Sequence, residues 1–285
     1  MGNERDTYMA GVPCWVDTVH DDPAAAAAFY GGVLGWDLED ALPPGAGAHY
    51  FMARVDGRLV AAVGSRPEAS PPGAAWNTYI AVDDADASAS RAEALGGTVV
   101  VSPMDVGDAG RMAGIADPEG ARFFVWEAGA TAGAELVNAP GAWNFSGVNA
   151  RDPEAAAAFY GALFGWEAGP ADPGSGARMV YLPGYGDHLA EGDPQLRERM
   201  AELGAPERFE DVVAWIVPLT DGLPPHWDVT FGVADADAAA ARAVEHGGRI
   251  VLAPTDMPWV RMTVISDPEG AVFTASRFVP PGADG

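Results

Sequence analysis

The sequence contains little that would suit it to an oxidising compartment, a membrane or a polyanion. Its single cysteine, Cys14, permits no internal disulfide, so a cytoplasmic location is the expectation. No apolar run approaches the roughly 20 residues that cross a bilayer, and residues 1–6 lack the basic and then apolar segments of a signal peptide. Sixteen basic residues stand against 41 acidic ones, a formal net charge of -25. That charge repels nucleic acids and anionic membranes, and neither is expected as a partner.

Internal repetition, by contrast, runs through the whole chain. Three pairs of segments are similar in the two halves: 22–36 with 152–166, 76–97 with 227–248, and 117–121 with 267–271. The second copy is longer by about 21 residues between its first and second segments. Repeats of this length indicate two domains of one fold. We expect these at residues 8–128 and 143–280, joined by a linker at 129–142, with an insertion at about 182–211.

Within each half, the residues predict the same order of elements twice. A helix is expected to begin after Asp22 and after Asp152, because aspartate caps a helix N-terminus and the proline that follows suits the first helical position. Short β-prone segments broken by glycine and proline come next, and the pattern restarts near residues 77 and 228. The sequence therefore predicts an α+β fold of four βαβββ modules.

These motifs together resemble the glyoxalase/bleomycin-resistance/dioxygenase superfamily, also called the vicinal oxygen chelate family. The resemblance rests on the Asp-Pro helix ending in Phe-Tyr-Gly-x-x-x-Gly-Trp, on the later Val-Asp-Asp-Ala-Asp-Ala helix start, and on Asp-Pro-Glu-Gly-Ala before the last strand. It covers about residues 10–127 and 143–278. It implies that pairs of modules curl into two open, barrel-like domains, each with a concave cavity that holds either a catalytic metal or an apolar ligand. Whether module one pairs with module two or with module four stays open at this point.

The positions that hold metal ligands in enzymes of that family can be counted on this sequence. The family places His or Gln on the first strand of a module, seven residues before the capping aspartate, and Glu near the middle of the last strand. The first-strand positions here hold Trp15, Asn77, Phe145 and Asp228, and the last-strand positions hold Phe124 and Thr274. Divalent metals need several His or carboxylate ligands at one point. We therefore expect no metal and no other cofactor.

Side chains alternate along a strand, so residues of one parity should line each concave face. In the first half these are Trp15, Asp17, Asn77, Tyr79, Phe124 and Trp126. In the second half they are Phe145, Asn149, Asp228, Thr230 and Thr274, with Trp215 nearby. Flat rings with a few polar groups suit a planar hydrophobic ligand. The alternative interpretation is that the rings fill the barrels as ordinary core.

Two functions are consistent with these faces. The first, implied by the resemblance, is a metal-free protein that binds a hydrophobic, aromatic small molecule of the antibiotic or polyketide type, for sequestration or as a biosynthetic accessory; no residue is then catalytic. The second is a metal-independent enzyme, a hydroxylase-associated protein, isomerase or lyase. Asp228 or Asp17 would act in it as acid or base, because burial raises the pKa of a carboxyl group toward neutrality. The oligomeric state, monomer or homodimer, is left open.

The insertion is predicted to cover the second groove. Its start, 183–188, is rich in turn residues and is expected to be a loop, whereas 194–203 has the composition of a helix that Gly204 ends. Long insertions beside a cavity often act as lids. We expect Tyr185 and His188 to lie near Asp228; a length variation on the outer surface is the alternative.

Overall fold

The computed structural model describes residues 3–4, 7–68, 73–219 and 222–280. Most of the segment 1–6, considered above for a signal peptide, lies outside these ranges. Among the helices that the described ranges contain, none is long and apolar enough to cross a membrane.

The elements follow the predicted order of modules. After a two-residue strand, β1 (Asn3–Glu4), module one contains β2 (Pro13–His20), α1 (Pro23–Leu34), β3 (Asp37–Asp40), β4 (Tyr50–Val55) and β5 (Arg58–Ser65). Module two contains β6 (Ala75–Val82), α2 (Ala85–Ala94), β7 (Thr98–Val106), β8 (Gly110–Ala116) and β9 (Arg122–Ala128). A short strand, β10 (Leu136–Val137), lies between the halves.

The second half repeats this order and carries the insertion. Module three contains β11 (Trp143–Ala150), α3 (Pro153–Phe164), β12 (Glu167–Ala168), β13 (Arg178–Tyr181), α4 (Tyr185–Gly192), α5 (Leu196–Glu202), a 3₁₀ turn (Phe209–Asp211) and β14 (Val212–Pro218). Module four contains β15 (His226–Gly232), α6 (Ala236–Glu245), β16 (Arg249–Met257), β17 (Val260–Ser266) and β18 (Val272–Phe278).

Each half forms one curled sheet. The strand order is β3-β4-β5-β2-β6-β9-β8-β7 in the first half and β12-β13-β14-β11-β15-β18-β17-β16 in the second. The first strands of the two modules pair antiparallel at the centre, β2 with β6 and β11 with β15. Module one therefore pairs with module two and module three with module four, which decides the question that the sequence left open. The predicted α+β fold of four modules and two open, curled domains is confirmed.

The helix starts form as their residues predict. The Asp22 side chain accepts from the Ala25 N–H at 3.0 Å, Pro23 stands at the first helical position, and Gly35 ends α1 in the left-handed conformation at φ 76°. The corresponding aspartate caps α3 in the same way. An N-cap of this kind stabilises a helix by about 1 kcal/mol.

The two sheets pack against each other directly, as in the 5.0 Å ring contact of Trp76 with Phe231, and through helices in a reciprocal arrangement. Tyr30 of α1 contacts Phe273 of β18, with ring centroids 5.6 Å apart. Tyr160 of α3 contacts Phe123 of β9 at 5.5 Å. Module one therefore packs on module four, and module three packs on module two.

The two Asp-Pro-Glu-Gly loops complete this interface with hydrogen bonds. The Tyr30 hydroxyl donates to Asp267 Oδ2 at 2.8 Å, and the Tyr160 hydroxyl donates to Asp117 Oδ2 at 3.0 Å. The Glu269 carboxylate accepts from the N–H groups of residues 21 and 22, both at 2.8 Å. Glu119 accepts from those of residues 151 and 152, at 2.7 and 3.0 Å. Each half thus places a carboxylate at the N-terminal end of the other half's first helix, where the helix dipole favours negative charge.

The segment 129–142 is more than a spacer. Its strand β10 pairs antiparallel with β1 and parallel with β11, and both of its residues are buried. Trp36 Nε1 donates to the Gly141 carbonyl at 2.6 Å. A strand of two residues has no hydrophobic period, so the sequence did not predict it.

Candidate functional site

The concave face of the second sheet has a carboxyl group at its centre. Asp228 on β15 lies directly opposite Gly147 on β11. Asn149 Nδ2 donates to Asp228 Oδ2 at 2.5 Å. Phe145 and Trp215, on β11 and β14, flank this pair, and all four side chains named here are partly exposed. The face therefore offers a ligand one carboxyl group between two rings.

Gly147 leaves the space in which these groups meet. A Cβ at this position would lie 3.3 Å from Asp228 Oδ1 and 3.5 Å from Trp215 Cβ. The two side chains thus approach the same point from the strands on either side of β11. A larger residue at 147 would press on both, so the absence of a side chain helps to form the site.

The surroundings of Asp228 favour the protonated form of its carboxyl group. Burial raises the pKa of its carboxyl group above the usual value of an aspartate. The hydrogen bond from Asn149, the charge of His226 and a hydrogen bond with the Gly147 backbone lower the pKa and oppose this effect in part. Such a carboxyl group can accept a hydrogen bond when ionised and donate one when protonated.

Two small polar residues border Asp228 on the other side. Thr230 on β15 lies opposite Thr274 on β18 in the parallel ladder, and both side chains are partly exposed. Neither can cover the face as a ring would. This part of the face, called the cleft below, is therefore partly exposed beside the carboxyl group.

The corresponding face of the first sheet is filled. Asp17, 3% exposed, accepts hydrogen bonds from the Tyr50 hydroxyl at 3.0 Å, the Tyr79 hydroxyl at 2.8 Å and Asn77 Nδ2 at 2.8 Å. Burial raises the pKa of this carboxyl group, and the three donors oppose the shift. Trp15 Nε1 donates to the Tyr50 hydroxyl at 3.2 Å. The polar groups on this face thus satisfy one another.

Aromatic packing closes the rest of the first face. Tyr79 stacks on Phe124 with centroids 4.8 Å apart, and the edge of Trp126 meets Tyr79 at 6.4 Å. Trp15 is only 8% exposed. The structure therefore places Trp15, Tyr79 and Trp126 in the core, whereas the sequence pattern suggested a stacking surface; Phe124 alone of these rings is partly exposed.

The strand register shows which residues make the two faces unequal. Tyr79 pairs with Phe124 in the first half at the position where Thr230 pairs with Thr274 in the second. Trp126 occupies the position of Ser276. The second face thus has three hydroxyl side chains where the first has rings; Ser276 is buried, whereas Thr230 and Thr274 leave the surroundings of Asp228 less covered than those of Asp17.

The insertion lies at one end of the second face. Phe209, in its 3₁₀ turn, contacts Phe145 with ring centroids 6.4 Å apart. Beneath the insertion is a cavity of about 110 Å³. Its apolar walls include Phe145, Tyr185, Leu189, Leu196, Met200 and Phe209, and polar side chains also line it: Asn138, Asn144 and Glu210. One ring, Phe145, thus belongs both to this cavity and to the concave face.

The insertion contains two short helices, one of which the sequence predicted. Residues 185–188 form the first turn of α4, and Gly184 precedes that turn at φ 85°. The prediction of a loop here was wrong, because glycine and tyrosine do not exclude a short helix that tertiary packing supports. The helix predicted at 194–203 is present as α5. Tyr185 is buried in the cavity wall and His188 is partly exposed. Among the described residues, no hydrogen bond or ring contact joins either of them to Asp228.

The residues present do not fit a metal of the kind that the fold implies. At the family's ligand positions stand Trp15, Phe145, Phe124, Thr274 and Asn77, and none of these supplies a His or a carboxylate. In the described ranges, no three His, Cys, Asp or Glu side chains converge in a way that would hold a metal ion. Asp228, at the remaining family position, is the single carboxylate among the six, and the positions therefore lack the several ligands that a divalent metal needs.

Comparison with known proteins agrees with this architecture. The family model of the glyoxalase/bleomycin resistance protein/dioxygenase superfamily matches residues 15–125, and that of a glyoxalase-like domain matches residues 146–276. The chain belongs to this superfamily, with two such domains in tandem.

Relatives similar over nearly their full length give more detail. The chain is 38% identical to "Putative glyoxylase CFP32" of Mycobacterium tuberculosis over 97% of this chain and 98% of that protein. It is 37% identical to "Anthracycline biosynthesis protein DauV" of a Streptomyces species over 98% of each, and 38% identical to "Anthracycline biosynthesis protein DnrV" of Streptomyces peucetius over 94% and 93%.

Solved structures share the fold at low identity. The Mn(II)-bound glyoxalase of Novosphingobium aromaticivorans matches with a TM-score of 0.60 and 16% identity, over 94% of this chain and 82% of that one. At this identity the likeness concerns the fold alone.

Several residues of the site were not found by sequence reasoning. Tyr50, which covers Asp17, lies on a short strand next to a glycine-rich turn and carried no motif. Phe209 lies in the insertion, which has no copy in the first half for comparison. Strand parity does place Gly147 on the concave face with Phe145 and Asn149, but the room that it leaves beside Asp228 depends on the strand register, which the sequence does not show.

Proposed function

We propose that this chain is a metal-free member of the superfamily that binds a hydrophobic, aromatic small molecule in the cleft of its second half. The observation that carries the proposal is the difference between the two faces: Asp17 is enclosed by donors and rings, whereas Asp228 lies in an open cleft between Phe145 and Trp215. The names of two relatives, which place them in anthracycline biosynthesis, support a ligand of the aromatic polyketide type. The role would be sequestration or assistance to a biosynthetic enzyme.

The expected ligand has a flat apolar body and at least one hydrogen-bond donor. Ring stacking on Phe145 and Trp215 adds about 0.5–1.5 kcal/mol per ring pair beyond area burial. A hydroxyl or amine on the ligand would meet the acceptor oxygens of Asp228. Burial of about 300 Å² of apolar surface contributes roughly 7 kcal/mol before association costs. Micromolar binding is consistent with these amounts.

Calorimetric titration with 1,4-dihydroxyanthraquinone, a planar dihydroxy aromatic, tests the proposal. We expect one molecule bound per chain, because of the two concave faces that the structure describes the second is the one with its carboxyl group partly exposed. Gly147→Leu should abolish binding by filling the cleft, while Gly192→Leu, at an exposed position where a side chain meets nothing, serves as the control. Two equal sites, or binding unaffected by Gly147→Leu, would contradict the proposal.

The absence of a metal requirement has its own measurement. After dialysis against a chelator and gel filtration, we expect the protein to bind the same probe with unchanged affinity. Elemental analysis of the purified chain should find no stoichiometric manganese, iron, nickel or zinc. One tightly held ion per chain, together with loss of binding on its removal, would contradict a metal-free site.

A second candidate function is metal-independent acid–base catalysis, favoured by one observation. Burial raises the pKa of the Asp228 carboxyl group and so brings it closer to the range where proton transfer is efficient. The purified protein alone would then convert an aromatic polyketide substrate, and Asp228→Asn would stop turnover while leaving the bound substrate in place. Binding without turnover favours the first function.

A further inference from the structure

The cavity under the insertion and the cleft share one side chain, Phe145. Its other walls come from α4, α5 and the 3₁₀ turn of the insertion, from the starts of β11 and β14, and from residues 8, 12, 13, 137 and 138. Phe145 lies two residues before Gly147, and two residues along a strand span about 7 Å. A ligand that meets Asp228 with its polar group and extends along Phe145 would end at this cavity.

The chemistry of the walls selects what that end can be. The insertion contributes Leu189, Leu196, Met200 and Phe209, which present hydrocarbon and thioether atoms, and Leu196 is 3% exposed. Polar groups, from Asn138, Asn144 and Glu210, also line the cavity, so the apolar part is the part next to α4 and α5. An apolar cavity of about 150 Å³ in another protein stays dry and binds benzene. A volume of about 110 Å³ therefore suits a group of roughly four carbon atoms.

From this arrangement we propose that the cavity is an apolar subsite that holds a short alkyl substituent of the ligand, while the ligand's hydroxyl or amine meets Asp228. This inference rests on the proposed function. It assigns the ligand class more narrowly: an aromatic molecule with a hydrogen-bond donor at one end and a saturated side chain of about two to four carbons at the other. The insertion, absent from the first half, forms the wall that recognises the side chain.

The test uses phenol, 4-ethylphenol and 4-butylphenol as probes, with dissociation constants measured by calorimetry. Transfer of one methylene from water contributes about 0.8 kcal/mol, so each added carbon should tighten binding about fourfold. Leu196→Phe fills the cavity and should remove these increments, so that the three probes bind with nearly equal affinity. Leu203→Phe, on an exposed position at the end of α5, is the matched control and should behave as the wild type. Met200→Phe is the second cavity-filling variant, used if Leu196→Phe does not fold.

The outcomes separate this inference from the proposed function. Phenol affinity that does not respond to Asp228→Asn contradicts the function, whatever the alkyl series shows. The subsite is overturned if the affinity of the wild type does not rise with the length of the alkyl chain. It is also overturned if that rise persists in both cavity-filling variants. No binding of 4-butylphenol at millimolar concentration overturns it as well.

Discussion

At the scale of single residues, Asp228 makes ligand binding depend on pH. Its folded pKa is raised by burial, so the group loses its proton at a pH above the ordinary range of an aspartate. A hydrogen bond to an ionised acceptor is stronger than one to a neutral acceptor by about 1 kcal/mol. Affinity for 4-butylphenol should therefore rise about fivefold as pH increases through this pKa.

Calorimetry between pH 4 and pH 8 measures this rise. Asp228→Asn keeps the shape of the side chain and removes its charge, so its affinity should not change with pH and should equal the low-pH affinity of the wild type. An equal rise in the variant would mean that another group is responsible.

A second residue, His20, makes stability depend on pH. It is buried beside the carboxylates of Asp267 and Glu269, and the charge of Asp21 also acts on it. Its Nε2 atom lies 2.9 Å from the Thr18 hydroxyl, in hydrogen-bond contact. Burial lowers the pKa of His20, although the three carboxylates oppose this shift. Because the unfolded histidine, with a pKa of about 6.5, takes up its proton first, stability is lost as pH falls below that value.

Thermal unfolding at pH 8, 7, 6 and 5.5 tests this expectation. The wild type should lose more stability over this interval than the His20→Ala variant. Alanine is chosen because the corresponding residue of the second half is Ala150. Equal slopes in the two proteins would assign the pH dependence to other groups.

At the scale of elements, three pairs of aligned strand positions decide which face is open. The double substitution Thr230→Tyr and Thr274→Phe introduces the ring pair of the first face into the second. We expect it to close the cleft and weaken binding of 1,4-dihydroxyanthraquinone at least tenfold, or about 1.4 kcal/mol. Titration of the folded double variant checks this.

The reverse exchange is the matched control. Tyr79→Thr with Phe124→Thr should lower the free energy of unfolding by about 3–5 kcal/mol, because it removes the buried ring of Tyr79, the partly buried ring of Phe124 and one donor to Asp17. Binding at the second cleft should not change. Denaturant titration gives the first quantity and calorimetry the second.

The sequence predicts the elements well because their signals are local and occur twice. Asp22 with Pro23, and the same pair before α3, specify helix starts within four residues. Strand parity also places Asn77, Tyr79 and Asp17 on one face, as their hydrogen bonds show. Whether a concave face is exposed depends instead on contacts between residues far apart in the sequence, such as the hydrogen bond from the Tyr50 hydroxyl to Asp17. One sequence contains no local signal for such packing.

At the scale of the whole molecule, the two Tyr–Asp hydrogen bonds join the halves. Tyr30→Phe leaves one oxygen of buried Asp267 without its donor, which costs about 1–3 kcal/mol. The melting temperature should fall by roughly 2–10 °C. Tyr160→Phe should have a similar effect at the other loop.

Scanning calorimetry of the variants measures these losses, with Tyr181→Phe as the control. The Tyr181 hydroxyl donates only a long hydrogen bond to Met179 Sδ at 3.9 Å, so its removal should change little. A loss as large as that of Tyr30→Phe would mean that the hydroxyl bonds at the interface have no special role.

The reciprocal loops also set an order of events on the ribosome. The N-terminal end of α1 is completed by residues 267–271, which are made long after it, whereas the N-terminal end of α3 is completed by residues 117–121, which are already made when α3 emerges. At about 5–20 residues per second, α1 waits roughly 10–50 s for its partner. During that interval Phe29 and Tyr30 lack the cover that Phe273 gives them. The nascent first half therefore keeps two aromatic rings uncovered until β18 has been made.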